Sequence, residues 1–241
     1  MNILITNDDS ISSEAMLKLA SWARRLGEVT VVAPKTQQSA KSQSINLRDA
    51  FEVRQLDLLT GVDCWSVDST PADCVRFAVD HFGKKFELLF SGINYGYNMG
   101  TDILYSGTVA ACFEGAVNGI PSIALSSDFH DPLPALNELD GIWEYFLQKR
   151  LLESWSCYNV NIPLQPQGFR LTRQGGAFFR DSFTSDNGVH FKAHGKEVYR
   201  DQSDMDLDTD CVRHGYISIS PLSINRIDDR VLEMLRKNEF Q

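Results

Sequence analysis

Apolar runs and amphipathic stretches alternate along the first part of the chain. Residues 3–5 form a short apolar run that ends in polar side chains, and apolar residues then recur at helical spacing over residues 16–26 until Gly27. Residues 29–33 form a second apolar, β-branched run, which Pro34 stops. A strand, a helix and a strand of these lengths are the unit that builds a parallel sheet.

The same alternation continues to about residue 127. Thr70 is placed to cap a helix that begins at Pro71 and runs through Phe82, and residues 86–90 follow it as a third apolar strand. Residues 108–117 predict a further helix, and residues 123–125 a further buried strand. This order predicts an α/β fold with a doubly wound, Rossmann-like core and a mostly parallel sheet.

The pattern changes beyond residue 127. Residues 133–152 predict one helix, and shorter segments then alternate like antiparallel strands, with a hairpin tip at residues 184–188. These segments lie near residue 160 and at residues 169–171, 189–191 and 216–219. Since no linker or repeat interrupts the chain, we expect one domain over residues 1–241. Its α/β core at about 1–127 carries the site, and a helix, β-hairpin extensions and C-terminal elements at about 128–241 serve oligomerisation.

Composition and charge restrict the classes of partner. The chain has 241 residues, of which 43% are hydrophobic, and a formal net charge of −9, so it suits a folded protein that does not bind long nucleic acid. No apolar run is long enough for a membrane span, and the first residues carry no basic segment, so we expect a cytoplasmic protein without membrane contact. The five widely spaced cysteines predict buried core residues rather than disulfides or a zinc site.

Polar residues follow each of the three best strands. Asp8 and Asp9 follow the first, serines including Ser39 the second, and Asn94 and Asn98 the third. The carboxyl ends of parallel strands face one crevice, where adjacent carboxylates repel each other unless a cation lies close by. Two carboxylates, a hydroxyl and an amide oxygen suit Mg²⁺ or Mn²⁺. The alternatives are that the aspartate pair caps a helix and that the serine and asparagine satisfy loop backbone.

Further candidate chemistry surrounds these loops. An apolar helix begins at residues Ser106, Gly107 and Thr108, and its free amides and helix dipole can form an anion site. The alternative is that Ser106 or Thr108 only caps this helix. The aromatic residues Tyr95, Tyr97 and Phe129 are candidates for stacking on a base or for the core. The Asp-rich run 201–210 lacks the glycine and glutamate of a calcium loop, so it predicts a solvated loop.

Several motifs occur in a fixed order along nearly the whole chain. They are the Asn-Asp-Asp end of residues 1–9, Ala-Pro at 33–34 with Ser39, and the segments 70–75, 91–100, 105–110 with 114–115, 159–163, 209–210 and 215–222. In these motifs the chain resembles the SurE family of bacterial survival proteins, which are metal-dependent 5′/3′-nucleotidases with acid phosphatase-like activity. The resemblance implies hydrolysis of nucleoside monophosphates to nucleoside and phosphate.

The resemblance also implies roles for individual residues. Asp8, Asp9, Ser39 and Asn94 match the ligands of one divalent metal ion, Mg²⁺ or Mn²⁺, and either aspartate is the catalytic base or nucleophile. The remaining matched positions are assigned to the substrate phosphate, namely Asn98, Ser106, Gly107 and Thr108. Family members form dimers that exchange C-terminal elements and often pair into tetramers. We expect a homo-oligomer here, with Phe178, Phe179, Val189, Phe191, Val198 and Tyr199 at the contact.

The chain departs from the family pattern in the first two loops. The family usually has glycine where this chain has Ser10 and Ala40, and Asn-Arg where it has Gln37 and Gln38. These changes are expected to reshape the second loop and to weaken the attraction for phosphate. The competing hypothesis is therefore a regulatory module that binds metal or nucleotide without turnover.

Overall fold

The computed structural model describes residues 1–238, and within them nine strands form one sheet. These strands are β1 (Asn2–Thr6), β2 (Glu28–Pro34), β3 (Val53–Leu56), β4 (Asp63–Val67), β5 (Leu88–Tyr95), β6 (Ser122–Ser127), β7 (Cys157–Ile162), β8 (Phe169–Leu171) and β11 (Ile217–Pro221). Two further strands, β9 (Phe179–Thr184) and β10 (Lys192–Glu197), form a separate antiparallel hairpin.

The sheet is parallel over its central six strands. Its order is β3-β4-β2-β1-β5-β6-β7-β11-β8, and β4 through β7 pair in parallel. At one edge β3 is antiparallel to β4, and near the other β11 is antiparallel to β7. The predicted fold class, a doubly wound α/β core with a C-terminal hairpin extension, is confirmed.

Helices cover both faces of this sheet. They are α1 (Glu14–Ala23), α2 (Pro71–His81), α3 (Gly107–Val117), α4 (Leu139–Gln148), α5 (Leu151–Ser154), α6 (Asp208–Arg213) and α7 (Asp229–Asn238), with 3₁₀ helices at Gly100–Tyr105 and Leu133–Glu138. Alternate residues of β1 point to opposite faces, so Ile3 and Ile5 pack in the layer of α1 and α4 while Leu4 packs in that of α2 and α3. Both faces are therefore buried, which explains the continuous apolar runs.

Two predicted elements differ from the structure in their extent. The single helix predicted for residues 133–152 is a 3₁₀ helix followed by α4 and α5, and Arg150, which adopts a left-handed φ of 51°, separates α4 from α5. The third strand extends to Tyr95, so Asn94 lies on β5 rather than in a loop.

The second half also differs in its strand pairing. Instead of a separate antiparallel set, β7, β11 and β8 extend the main sheet, and β8 is parallel to β11. Residues 189–191 are not a strand, because the N–H groups of Val189 and His190 donate to Oδ1 of Asn187 at 3.0 and 2.9 Å in the turn between β9 and β10. The division into one domain over residues 1–241 stays a prediction.

The Asp-rich run is not wholly a solvated loop, which corrects that prediction. Asp208 and Asp210 are fully buried in α6. Asp208 accepts hydrogen bonds from the N–H groups of Gly100 and Gly175 at 3.0 and 2.7 Å, and Asp210 accepts one from the Tyr199 hydroxyl at 3.0 Å. These carboxylates are buried because backbone and hydroxyl donors replace water around them.

Phe178, predicted for an intermolecular contact, packs within the chain instead, against the partly exposed Tyr199. Phe178 is only 5% exposed, and its ring stacks on Tyr199 with centroids 5.1 Å apart, beside Met99 and Val212. This small cluster gives both rings an apolar environment inside one copy. In contrast, Phe179, Val189 and Phe191 are exposed, and Val198 is half-buried.

The five cysteines are all buried and free, as predicted. Among the described residues, no helix combines the length and the apolar character that crossing a bilayer requires.

Candidate active site

The end of β1 places two carboxylates at the carboxyl edge of the sheet. Asp8 is nearly buried, with 6% of its surface exposed, and Asp9 beside it is half-buried. Neither caps a helix, because the N-cap of α1 is Ser13, whose hydroxyl accepts from the N–H of Met16. The alternative that the pair is a helix cap is therefore excluded.

The start of α3 holds the Asp8 carboxylate. The Thr108 hydroxyl donates to Oδ1 of Asp8 at 2.5 Å, and the amides of Gly107 and Thr108 also face this carboxylate. Burial raises the pKa of Asp8 above its ordinary value, while these donors act in the opposite direction. The structure thus brings three predicted site residues into direct contact.

Asp9 is held by the second loop and by β5. Its Oδ2 accepts from the backbone N–H of Tyr95 at 3.2 Å, and its Oδ1 accepts from Nε2 of Gln37 at 3.3 Å. Burial, and secondly the negative charge of Asp8, raise the pKa of Asp9 to about 6. Asp9 therefore binds a proton more readily than an ordinary aspartate does.

Asn94 lies next to the residue that binds Asp9. It occupies the end of β5, where its Nδ2 donates to the carbonyl of Gly96 at 2.7 Å. This bond fixes the amide and leaves Oδ1, the atom that a cation would bind, as the uncommitted end. Asn94 therefore lies at the same edge of the sheet as Asp9, one residue before Tyr95, whose N–H donates to Asp9.

The second loop lies against the aspartates, but its serine is not held. The N–H of Gln38 donates to the carbonyl of Asp8 at 2.7 Å, which places the following residue, Ser39, beside β1. The Ser39 side chain is exposed and makes no hydrogen bond with any of residues 1–238. Ser39 is thus available as a ligand, and its role remains a prediction.

The other residues assigned to phosphate are engaged in structural hydrogen bonds. Ser106 caps α3, since its Oγ accepts from the N–H of Val109 at 3.1 Å. Asn98 is buried, donates from its backbone to Asn161 at 2.8 Å and from its amide to Ser126 at 2.9 Å, and makes none of its hydrogen bonds with the aspartate pair. These bonds order the segment between β5 and α3 beside the site.

The two departures from glycine occur where the backbone is left-handed. Ser10 has a φ of 95° and Ala40 a φ of 58°, values that glycine adopts without strain and other residues adopt at a cost. At both positions the backbone conformation is one that favours glycine, although the residues there, Ser10 and Ala40, carry side chains.

Sequence reasoning missed the role of Gln37 and an open cleft beside Asp9. The cleft has a volume of about 480 Å³ and is walled by Asp9, Gln37, Tyr95 and Phe129. The only signal for Gln37 was its position in the altered second loop, which does not show that its amide reaches a carboxylate.

The comparisons with known proteins bear on this geometry. A family model described as survival protein SurE matches residues 3–181, which include both aspartates, Asn94 and the start of α3. The chain belongs to the SurE family. The resemblance inferred from the motifs is thereby confirmed.

Similar proteins in this family align over nearly their whole length. The 5′-nucleotidase SurE of Thermosipho africanus is 37% identical over 249 residues, covering 98% of this chain and 97% of that protein. The protein of the same name from Clostridium botulinum (strain Alaska E43) is 34% identical, with 98% and 99% covered. The crystal structure of the SurE protein from Aquifex aeolicus matches with a TM-score of 0.78 at 28% identity, covering 99% of this chain and all of that one.

Proposed function

We propose that this chain is a metal-dependent phosphomonoesterase that hydrolyses nucleoside 5′- and 3′-monophosphates to nucleoside and phosphate. The observation that carries the proposal is the buried Asp8–Asp9 pair, beside Asn94 and the start of α3, at the carboxyl edge of the sheet. Membership of the SurE family and similarity to proteins named 5′-nucleotidase support the substrate class.

The donor set fits one hard divalent cation. Among residues 1–238, no lysine, arginine or histidine forms an ion pair with Asp8 or Asp9, so their repulsion is not neutralised by the protein. Carboxylates, the Asn94 amide oxygen and the Ser39 hydroxyl are ligands that Mg²⁺ and Mn²⁺ prefer. No three His, Cys, Asp or Glu side chains of the described residues cluster as a metal site, which agrees with a set of only two carboxylates.

The two aspartates differ in how tightly the protein holds their carboxylates. A divalent cation bound there would supply polarisation of a phosphoryl oxygen and an activated water. Asp8 is fixed by Thr108 and by two amides, whereas Asp9 accepts two longer hydrogen bonds and has a pKa of about 6. Either aspartate serves as the general base or forms an aspartyl phosphate, and trapping a covalent phosphate distinguishes the two routes.

The start of α3 is proposed to orient the phosphate. Ser106, Gly107 and Thr108 stand at the positive end of the helix dipole, next to Asp8, and Asn98 lies on the segment that leads to them. The Ser106 hydroxyl accepts one bond from Val109, so its own proton is free to donate. Because the Gly107 and Thr108 amides face Asp8, they act on the phosphate mainly through the field at the helix end.

A regulatory module that binds nucleotide without turnover is the competing function, because Ser10 and Gln37 replace the usual residues of the family. One assay separates the two. Purified protein should release phosphate from AMP with Mn²⁺ and release none with a chelator. Metal-dependent binding of AMP without phosphate release would support the module instead.

The proposal includes a cytoplasmic homo-oligomer, either a dimer or a tetramer. Every residue of β9 and β10 is exposed, and the hairpin that they form carries uncovered apolar side chains, including Phe179 and, just before β10, Phe191. A two-fold partner would cover them most simply. The five free, buried thiols suit a reducing compartment.

A further inference from the structure

The cleft beside Asp9 combines one catalytic carboxylate with two aromatic walls. Tyr95 reaches the site through its backbone N–H, which donates to Asp9 at 3.2 Å, and its half-buried side chain lines the cleft. Phe129 follows β6 and lines the same cleft. A volume of about 480 Å³ is of the size that holds a small organic ligand.

Phe129 presents an apolar ring to solvent at this position. It is 69% exposed, and its Cδ2 would lie 3.6 Å from a β-carbon on Gly96, so the ring stands over the glycine loop that follows Asn94. His130 meets it edge-on, with ring centroids 5.7 Å apart. Most of the ring is thus exposed beside the cleft, where a ligand can contact it.

The polar side chains of the cleft are already committed to bonds within the protein. The hydroxyls of Ser10 and Ser12 bond to each other at 2.9 Å, and Glu14 pairs with Lys18 at 2.8 Å. Ser13 caps α1, and Gln37 donates to Asp9. Few groups therefore remain to read the hydrogen-bonding edge of a base, whereas the two aromatic side chains remain available for stacking.

Negative charge surrounds the aromatic walls. The carboxylates of Asp9 and Glu14 line the cleft together with Tyr95 and Phe129. A ligand group that enters here should be uncharged, since a second phosphate would meet these carboxylates.

We infer that Phe129 and Tyr95 bind the nucleobase of the substrate by stacking, so that an uncharged aromatic ring is selected and the four common bases are discriminated only weakly. The inference rests on the proposed function, because it assigns the base to the cleft that opens from Asp9. Stacking of a base on an aromatic side chain is worth about 1–3 kcal/mol and tolerates any base, because every base has a π face.

The test compares AMP with ribose 5-phosphate, which differ only by the base. With Mn²⁺, the wild-type KM for AMP should be about tenfold lower than that for ribose 5-phosphate. Phe129→Ala should raise the KM for AMP by about tenfold, leave kcat within about twofold, and leave both constants for ribose 5-phosphate unchanged. Phe129→Trp should retain the preference, and Phe129→Leu should lose it. Leu147→Ala, which truncates an exposed apolar side chain on α4, is the matched control and should have no effect.

The outcomes separate this inference from the proposed function. If AMP and ribose 5-phosphate are hydrolysed but Phe129→Ala changes both KM values equally, or neither, the base is bound elsewhere and only the inference fails. If neither is hydrolysed, the proposed function fails. The inference is then tested by calorimetry with Mn²⁺, which compares the affinities of wild type and Phe129→Ala for AMP and for ribose 5-phosphate. A preference of more than about a hundredfold among AMP, GMP, CMP and UMP would also overturn it.

Discussion

Gly107 and Asp8 are packed so closely that no side chain fits between them. A β-carbon on Gly107 would lie 2.9 Å from the β-carbon of Asp8 and 3.0 Å from its Oδ2. Glycine therefore allows the start of α3 to approach a buried carboxylate and to supply the Thr108 hydroxyl and two amides to it. The proposed metal ligand is oriented by this approach.

Gly107→Ala should therefore impair the site more than the fold. The added methyl displaces Asp8 or the first turn of α3, so we expect Mn²⁺ affinity and kcat/KM for AMP to fall at least about tenfold. Gly176→Ala is the matched control, because a β-carbon there meets no atom within 4 Å. Calorimetric Mn²⁺ binding and phosphate release measure the effect, and equal behaviour of the two variants would contradict the assigned role of the contact.

Asp9 should make the stability of the metal-free protein depend on pH. Its pKa is raised from 3.8 to about 6, so its contribution stabilises the fold below about pH 4 and is lost as pH rises through 6. Between about pH 4 and pH 7, the free energy of unfolding of the wild type should fall by about 1–2 kcal/mol more than that of Asp9→Asn.

Denaturant unfolding of both proteins at the two pH values checks this difference. Asp9→Asn should be at least as stable as metal-free wild type at pH 7, because it relieves a like-charge contact. Added Mn²⁺ should stabilise the wild type and not the variant. Identical pH dependence in the two proteins would show that Asp9 titrates normally.

The left-handed backbone at Ser10 and Ala40 predicts a gain in stability on substitution by glycine. Ala40→Gly should raise the free energy of unfolding by about 1 kcal/mol, because it removes steric strain at a φ of 58°. Ser10→Gly should act in the same direction at a φ of 95°. Ser44→Gly, in the same loop but outside the left-handed region, should be neutral or destabilising. Thermal unfolding checks this, and a lower Tm for Ala40→Gly than for Ser44→Gly would be inconsistent with strain.

Local patterns sufficed to predict the core of the fold. Apolar runs such as residues 29–33 are buried on both faces of the sheet, and Thr70 accepts from the N–H of Asp73 at 3.2 Å as its position before Pro71 predicts. The family match of residues 3–181 confirms the resemblance that the motifs carried. These features depend on neighbours in sequence, so the sequence shows them directly.

The remaining features depend on contacts between distant residues. The Asp-rich run predicts a solvated loop, but Asp208 bonds to Gly100 and Gly175, and no local pattern reveals those partners. Phe178 similarly packs on Tyr199, 21 positions later in the numbering of the chain. The bond from Gln37 to Asp9 joins two loops, and it also lies beyond what periodicity can predict.

The exposed apolar side chains of the hairpin predict self-association. Phe183 on β9 and Phe191, just before β10, are 66% and 63% exposed, and no layer of the same copy covers this two-stranded hairpin. Light scattering at micromolar concentration should show at least a dimer. Phe183→Ser combined with Phe191→Ser should give a smaller species, whereas Leu147→Ser on α4 should not. A monodisperse, fully active wild-type monomer would refute this prediction without affecting the metal site.

Anomalous diffraction from crystals grown with Mn²⁺ shows directly whether the aspartate pair binds a cation. Our account predicts one strong manganese peak within coordinating distance of the Asp8 and Asp9 carboxylates, with Asn94 Oδ1 and Ser39 Oγ as further ligands, and no such peak in crystals of Asp9→Asn. A peak at another position, or none at the aspartate pair in protein that releases phosphate only with Mn²⁺, would contradict it.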